Sequence, residues 1–444
     1  MKNKQLKAVV ILLVLNIAVY AAYGVMHYVN VKNMSADTNV YVAKERTTDD
    51  IVSIQSEGTD GNFAINFNGT NWTVEGNENF PISSDALSKL TEKANNLTAA
   101  RKISSDGDYE KYGLDNPKTT LTITDSQGTS VTYVIGNFNE NINRYYVCEE
   151  GSKDIYIINK SVGDQLTEDI NSYAAAFDLS DLSRSTLSTI EVVNGESDTV
   201  INKGEKDDNN PLGSSSQWTF GKPFSNSVFV DVNKIDTIII KLKDAASSQC
   251  VAFSPSESDL ESYGLKDSKV YYSLNYSGKT AKMYMGKIND DGSAYISFDG
   301  SGIVGLADSE TVTALNEYLD PYKYLPQSVC TAKKAAVESI TATLEGNTYN
   351  IDMSKDNDSV TAFFNKLSGI ASTSHSTEAE GIAPDDSSFV ITYHFKDKSY
   401  ANITVYYTPY DNDYYTASCG EVSGRMVNKR SIESVIDLLK AVEQ

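Results

Sequence analysis

The most constraining feature of this chain is that it answers itself. Tyr109-Glu-Lys-Tyr-Gly-Leu114 returns as Leu260-Glu-Ser-Tyr-Gly-Leu265, and other landmarks keep the same order around the two copies. Upstream, Asn71-Trp72-Thr73 matches Gln217-Trp218-Thr219, Phe80-Pro81 matches Lys222-Pro223, and Asp85 and Asp231 open similar helical stretches. Downstream, Tyr133-Val-Ile-Gly136 matches Tyr284-Met-Gly286, and Tyr145-Tyr-Val147 matches Tyr295-Ile-Ser297. Self-similarity over such a span means that one supersecondary unit is used more than once. A third, weaker copy has Glu380-Gly-Ile382 in place of the Tyr-Gly-Leu element, then an alternating run from Val390 to Phe395, then Tyr414-Tyr415-Thr416. It lacks a tryptophan, and Thr408 stands where the earlier copies have Gly136 and Gly286.

Each unit reads as short period-two strands followed by a helix and more strands. Phe63-x-Ile-x-Phe67 and Trp72-x-Val74 alternate on either side of Asn68-Gly69, a tight-turn dipeptide. Ala86, Leu87, Leu90, Ala94 and Leu97 then recur mostly at helical steps behind a capping Ser84 or Asp85. Leu121-x-Ile123, Val131-x-Tyr-x-Ile135, Tyr145-x-Val147 and Ile155-x-Ile157 alternate again, with Gly128 and Gly151 marking hairpins. Strands of this period with helices on one face make an α+β fold of tandem antiparallel-sheet-plus-helix domains.

The Tyr-Gly-Leu element is expected to be structural. Its glycines, Gly113 and Gly264, should take positive φ, Leu114 and Leu265 should drop into the core, and Tyr112 and Tyr263 should cover a helix end. Trp72 and Trp218 read as core residues. Pro321 to Pro326 (PYKYLP) reads as a linker between the second and third units.

The succession Trp…Pro, helix, Tyr-Gly-Leu, strand, Ile-Gly, Tyr resembles the "domain of unknown function 4340" family. Asp115-Asn-Pro117 completes the family-like turn in the first copy, whereas Lys266-Asp-Ser268 lacks the proline in the second. The likeness covers about residues 50 to 325. It implies a membrane-anchored envelope protein, in some members resembling an auxiliary subunit of a gliding-motility-type ABC transporter, and it brings no catalytic residues to carry over.

The N-terminus fits an uncleaved anchor, with a signal peptide cleaved at Val19-Tyr20-Ala21, a poor cleavage site, as the alternative. Ala8 to Met26 carries no charge, follows Lys2, Lys4 and Lys7, and is long enough to cross a bilayer as a helix. The lysines should stay in the cytoplasm, placing the bulk of the chain outside. The expected organisation is a tail at 1–7, a transmembrane anchor at 8–26, a stalk at 27–48, repeat 1 at 49–178, repeat 2 at 179–327 and a divergent repeat 3 at 328–444. The bilayer is thus an expected partner through residues 8–26, with transporter subunits and envelope glycan as further candidates. Lys plus Arg total 38 against 60 Asp plus Glu, so a phosphate backbone would be repelled and nucleic acid is not an expected partner.

Chemistry is sparsely signposted. Cys148, Cys250, Cys330 and Cys419 have no short spacing, and no metal, cofactor or catalytic residue is expected. Of the three histidines, His27 abuts the anchor, His375 lies in a Ser/Thr-rich loop and His394 sits in a strand. Gly278-Lys279-Thr280 ends like a phosphate loop, but Ser273 replaces the required glycine and a strand follows, so it reads as a hairpin. Asn289-Asp-Asp-Gly292 reads as a turn because Lys287 and Phe298 occupy calcium-ligand positions. Asp411-Asn-Asp413 and Asp356-Asn-Asp358 likewise read as acidic turns. Tyrosine is abundant at 28 residues, clustered at Tyr271, Tyr272 and Tyr276 and at Tyr406, Tyr407, Tyr410, Tyr414 and Tyr415. It suits half-buried sheet positions or a binding surface for sugar faces. The sequence therefore points to a non-enzymatic binding or scaffold protein, with envelope-glycan binding as the alternative.

Overall fold

A computed structural model describes residues 40–43 and 51–442, except 60, 96, 105, 196, 206, 213–216 and 356. The expected tail (1–7), anchor (8–26) and most of the stalk (27–48) lie outside the described residues. Among the described residues no helix is long and apolar enough to cross a membrane. Within the expected stalk, β1 (Val40–Tyr41) pairs with β5 (Thr98–Ala99), and Val42 is buried. That stretch packs onto folded protein instead of running free. The chain divides into two compact units after Ala176.

The first unit is built on an eight-stranded sheet in which every pairing is antiparallel. A hairpin of β2 (Ile51–Gly58) and β3 (Gly61–Phe67) leads to the edge strand β4 (Trp72–Val74). Helix α1 (Ser84–Asn95) then crosses the sheet to the opposite edge, where β6 (Arg101–Ser104) pairs. Leu87, Leu90 and Ala94 face inward from α1, because three- and four-residue steps align on one side of a helix. Ser83 caps it, one residue before the expected Ser84, with its hydroxyl accepting from the Ala86 N–H. After the Tyr-Gly-Leu turn, β7 (Thr119–Asp125) returns to the sheet centre beside β2, and β8 (Ser130–Asn139), β9 (Arg144–Glu149) and β10 (Ile155–Asn159) follow in order. Helix α2 (Lys160–Leu166) and a 3-10 turn at Ile170–Tyr173 end the unit.

The second unit holds two sheets. One comprises β11 (Leu187–Asn194), β12 (Ser197–Lys203), β13 (Trp218–Lys222), β14 (Gln249–Phe253), β15 (Val270–Tyr276), β16 (Lys279–Ile288), β17 (Ala294–Phe298) and β18 (Ile303–Ala307). Its order, β13-β12-β11-β15-β16-β17-β18-β14, is that of the first sheet element for element. Helix α3 (Val232–Ala246) makes the edge-to-edge crossing, and α4 (Glu257–Ser262) leads into the second Tyr-Gly-Leu turn. Helix α5 (Ser309–Glu317) and a 3-10 turn at Pro321–Tyr324 follow. The other sheet contains β19 (Val337–Leu344), β20 (Asn347–Asp352), β21 (Ser372–His375), β22 (Phe389–Phe395), β23 (Ile403–Pro409), β24 (Tyr414–Cys419) and β25 (Val422–Asn428). It follows the same order without the first edge strand. Helix α6 (Asp358–Ser368) crosses it, and α7 (Lys429–Val442) closes the chain.

Register makes the correspondence residue-specific. Ile54 lies between Ile65 and Ile123, Ile190 between Ile201 and Leu274, and Ile340 between Ile351 and Tyr393, all buried on the helix-covered faces. Trp72 and Trp218 pair with Phe67 and Lys203 at matching places on the edge strands. Only Trp218 is buried; Trp72 is half-buried against the exposed Phe67. The expectation of two core tryptophans thus fails for Trp72, because its edge of the sheet is left open.

Both Tyr-Gly-Leu turns have one architecture. Gly113 and Gly264 take φ of 66° and 67°, and Leu114 and Leu265 are buried. Leu114, however, packs with Val134, Cys148 and Ile155, a small cluster separate from the main core. The turn thereby covers the end of the sheet face that no helix reaches. Tyr112 and Tyr263 meet strand tyrosines, Tyr146 at 4.8 Å and Tyr295 at 4.6 Å, and not a helix end as expected. The Tyr112 and Tyr263 carbonyls come down on Gly136 and Gly286, where a side chain would collide with them. In the third sheet Gly381 lacks positive φ and Ile382 is half-buried, so this turn is built differently. Thr408 is accommodated there, its hydroxyl 2.9 Å from that of Ser388.

The segment expected to link the second and third repeats is packed. Tyr324 and Leu325 are buried in the core of the second sheet, and the Asp231 N–H donates to the Tyr324 carbonyl at 2.9 Å. Tyr173 serves the first sheet equivalently: the Ser83 N–H donates to its carbonyl at 2.8 Å.

Candidate functional site

Packing of the 3-10 turn Pro321–Tyr324 against the edge strand β21 creates a solvent-open cleft of about 320 Å³ inside the second unit. One wall comes from that turn and the first turn of α3, supplying Asp320, Tyr322, Lys323 and Lys234. The facing wall is the Ser372-Thr-Ser-His375 run of β21. Asp320 caps the turn by accepting from the Tyr322 N–H at 2.9 Å, which fixes the direction in which Tyr322 leaves the chain. The Tyr322 ring stacks on the His375 imidazole with planes 12° apart, and its hydroxyl donates to Glu380 Oε1 at 3.1 Å. The same carboxylate oxygen lies 2.8 Å from His375 Nε2, without hydrogen-bond alignment. Burial, and then the Glu380 carboxylate, push the Tyr322 hydroxyl well above the ordinary phenol range, so it remains a donor.

Arg425 forms the cleft's inner end. It sits in β25 beside Gly424, whose positive φ and lack of a side chain let the strand pass under Ser376 and Glu380. Its side chain is buried, and the guanidinium donates to three successive main-chain carbonyls: Pro326 at 2.5 Å, Gln327 at 2.9 Å and Ser328 at 3.2 Å. Burial weakens its hold on the proton without approaching neutrality at ordinary pH. Among the described residues no carboxylate lies within ion-pair distance of it.

A second concavity lies on the uncovered face of the second sheet. Lys282 Nζ stands 3.6 Å from the ring centre of Tyr271 and 4.9 Å from that of Tyr284. Leu265, Ser268 and Lys269 complete a shallow groove of about 510 Å³. At the matching places the first sheet has Thr120, Thr132 and Val134, and the third has Val390, Thr404 and Tyr406. The aromatic–cation trio therefore belongs to one sheet only.

Residues that the sequence singles out fall mostly into structural roles. His394 Nε2 lies 2.9 Å from the Thr341 hydroxyl within the sheet, and His375 belongs to strand β21, not to a loop; His27 is outside the described residues. Gly278 closes a two-residue hairpin with Ser277, and Lys279 reaches Asp181 at 2.7 Å. Asp291 accepts from the Ser293 N–H, and Asp411 accepts from the Asp413 and Tyr414 N–H groups, so both acidic runs close their own turns. Asp356 lies outside the described residues. Among the described residues no group of three acidic, His or Cys side chains is placed to hold a metal. All four cysteines are free thiols; burial pushes Cys148 and Cys419 up to about 11 and Cys330 up to about 12. Tyr272, Tyr276 and Tyr407 are buried, while Tyr271, Tyr406, Tyr410, Tyr414 and Tyr415 are half-buried. Sequence reasoning missed Arg425; its one signal is a lone charge in the otherwise inward-facing Gly424-Arg-Met-Val427 run.

No curated protein and no solved structure matches the chain. A family model does match, from Trp72 on β4 to Lys266 just beyond the second Tyr-Gly-Leu turn, so the matched stretch begins in the first sheet and ends in the second. Residues 72–266 match the model of the family described as Domain of unknown function (DUF4340).

Proposed function

We propose that this is a membrane-anchored extracytoplasmic binding or scaffold protein, made of three copies of one sheet-and-helix module and acting as an auxiliary component of an ABC-type transporter complex. The common strand order, the paired isoleucines and the two similarly built Tyr-Gly-Leu turns support the threefold use of one module. The charge-free run from Ala8 to Met26 behind three lysines supports the anchor. The cleft at His375 and Arg425 is the observation that carries the binding role. It is concave and open, and its polar groups are locked by a capped turn and by hydrogen bonds to fixed carbonyls, an arrangement suited to recognition.

Full-length chain purified from detergent-solubilised membranes should bring down transporter permease or ATP-binding subunits in near-stoichiometric amounts. Elution of the chain alone would count against the complex. The groove of Tyr271, Lys282 and Tyr284 favours a second reading, the binding of envelope glycan, since half-buried rings beside a cation suit a sugar face. Retention on isolated envelope polysaccharide, lost in Tyr271→Ala, would favour it.

A further inference from the structure

We infer that the cleft between the Pro321–Tyr324 turn and strand β21 is a binding site for a small ligand bearing an oxyanion, either a carboxylate or a phosphate group. The inference rests on the reading of this chain as a binding protein and adds the ligand's chemistry.

The chain has 60 acidic side chains against 38 basic ones, so several cations around one concave space run against the chain's overall balance. Lys234 and Lys323 both line the cleft, and among the described residues neither has a carboxylate within ion-pair distance. Arg425, buried at the inner end, has main-chain carbonyls as its partners and, among the described residues, no counter-ion. The two carboxylates nearby are already engaged. Asp320 accepts from the backbone of its own turn, and Glu380 accepts from Tyr322 and faces His375. Three cations thus converge on one concave space against a single lining carboxylate, in a surface that is otherwise strongly negative. The walls add neutral donors: Ser374 and Gln327 are exposed along the rim. Low-dielectric walls concentrate the field of a buried charge in a cleft. An oxyanion entering there would exchange water for charge-assisted hydrogen bonds to the Lys234 and Lys323 ammonium groups, beside a guanidinium already held in place. The volume of about 320 Å³ suits a small molecule and not a polymer segment.

The test is calorimetric titration of the full-length chain in detergent with citrate, inorganic phosphate and glycerol 3-phosphate, with maltose as the neutral control. At least one of the three anions should bind while maltose does not, and affinity should fall as salt is raised from about 50 mM to about 500 mM. Citrate alone binding would assign the site to carboxylates, and either phosphate probe alone to phosphates. Lys323→Glu and Lys234→Glu, both on accessible side chains, should each weaken binding by about tenfold or more. Arg425→Gln should abolish it; if that variant misfolds, the two lysine variants decide. Absence of heat and of thermal stabilisation with all three anions would overturn the inference, as would binding unaffected by either lysine reversal. Wild-type chain that binds no anion yet brings down transporter subunits defeats the anion site alone, whereas anion binding by wild-type chain that brings down no transporter subunits defeats the complex alone.

Discussion

Gly136 and Gly286 have no side chain because a carbonyl from another turn fills the space where one would stand. Tyr112 O and Tyr263 O each descend on the strand glycine, and Leu114 or Leu265 packs beside it. Where the third sheet builds that turn differently, the same strand position holds Thr408, hydrogen-bonded to Ser388. The glycine and the Tyr-Gly-Leu element are therefore one device written at two places in the sequence. Gly286→Ala should destabilise the protein by about 1–3 kcal/mol through overpacking. Leu114→Ala should cost about 2–5 kcal/mol, toward the lower end because its cluster is small. Urea denaturation of each variant measures both; a change near zero for either would mean that the turn can lift away from the sheet at no cost.

Also at the residue scale, the thiols make a pH prediction. Burial raises Cys148 from an ordinary value of 9.0 to about 11 and Cys330 to about 12, so the folded state keeps both protonated where the unfolded chain would ionise them. The stability this contributes is complete below pH 9.0 and is lost as pH rises from there through about 11 to 12. Iodoacetamide at pH 8 should leave Cys148 and Cys330 unmodified in native protein and alkylate them rapidly in urea, as mass spectrometry of the digest will show. Rapid native alkylation would mean that these side chains are accessible.

At the scale of elements, the period-two runs and the capped amphipathic helix were legible because one face of each is buried, and burial writes a period into the sequence. Leu87, Leu90 and Ala94 on α1 and the alternating Leu121 and Ile123 on β7 are of this kind. Pro321–Tyr324 was not: a proline-bounded, tyrosine-rich stretch has no period, and only tertiary packing makes it part of a core. The candidate site inherits that obscurity. Its groups come from Lys234, the Pro321–Tyr324 turn, β21 and Arg425, stretches far apart in the chain that no local pattern connects. The trio of Tyr271, Lys282 and Tyr284 is hidden for a related reason, since tyrosine on a strand reads equally well as sheet packing.

For the whole molecule, three sheets with one order of connections are an economical way to enlarge a protein without enlarging any single core. A third sheet that abandons the Tyr-Gly-Leu turn is free to use the same region for something else, and it is there that His375, Glu380 and Gly424 gather around the cleft. The proposed N-terminal anchor would hold this apparatus outside the cell. The most direct test is to introduce Asn412→Cys on an exposed turn, in a chain whose half-buried Cys419 is replaced by Ser and whose other thiols are buried, and to treat intact cells with a membrane-impermeant maleimide. Asn412→Cys should be labelled in intact cells at the level seen after lysis, with the protein recovered in the membrane fraction. Labelling only after lysis would put the sheets in the cytoplasm and contradict this placement.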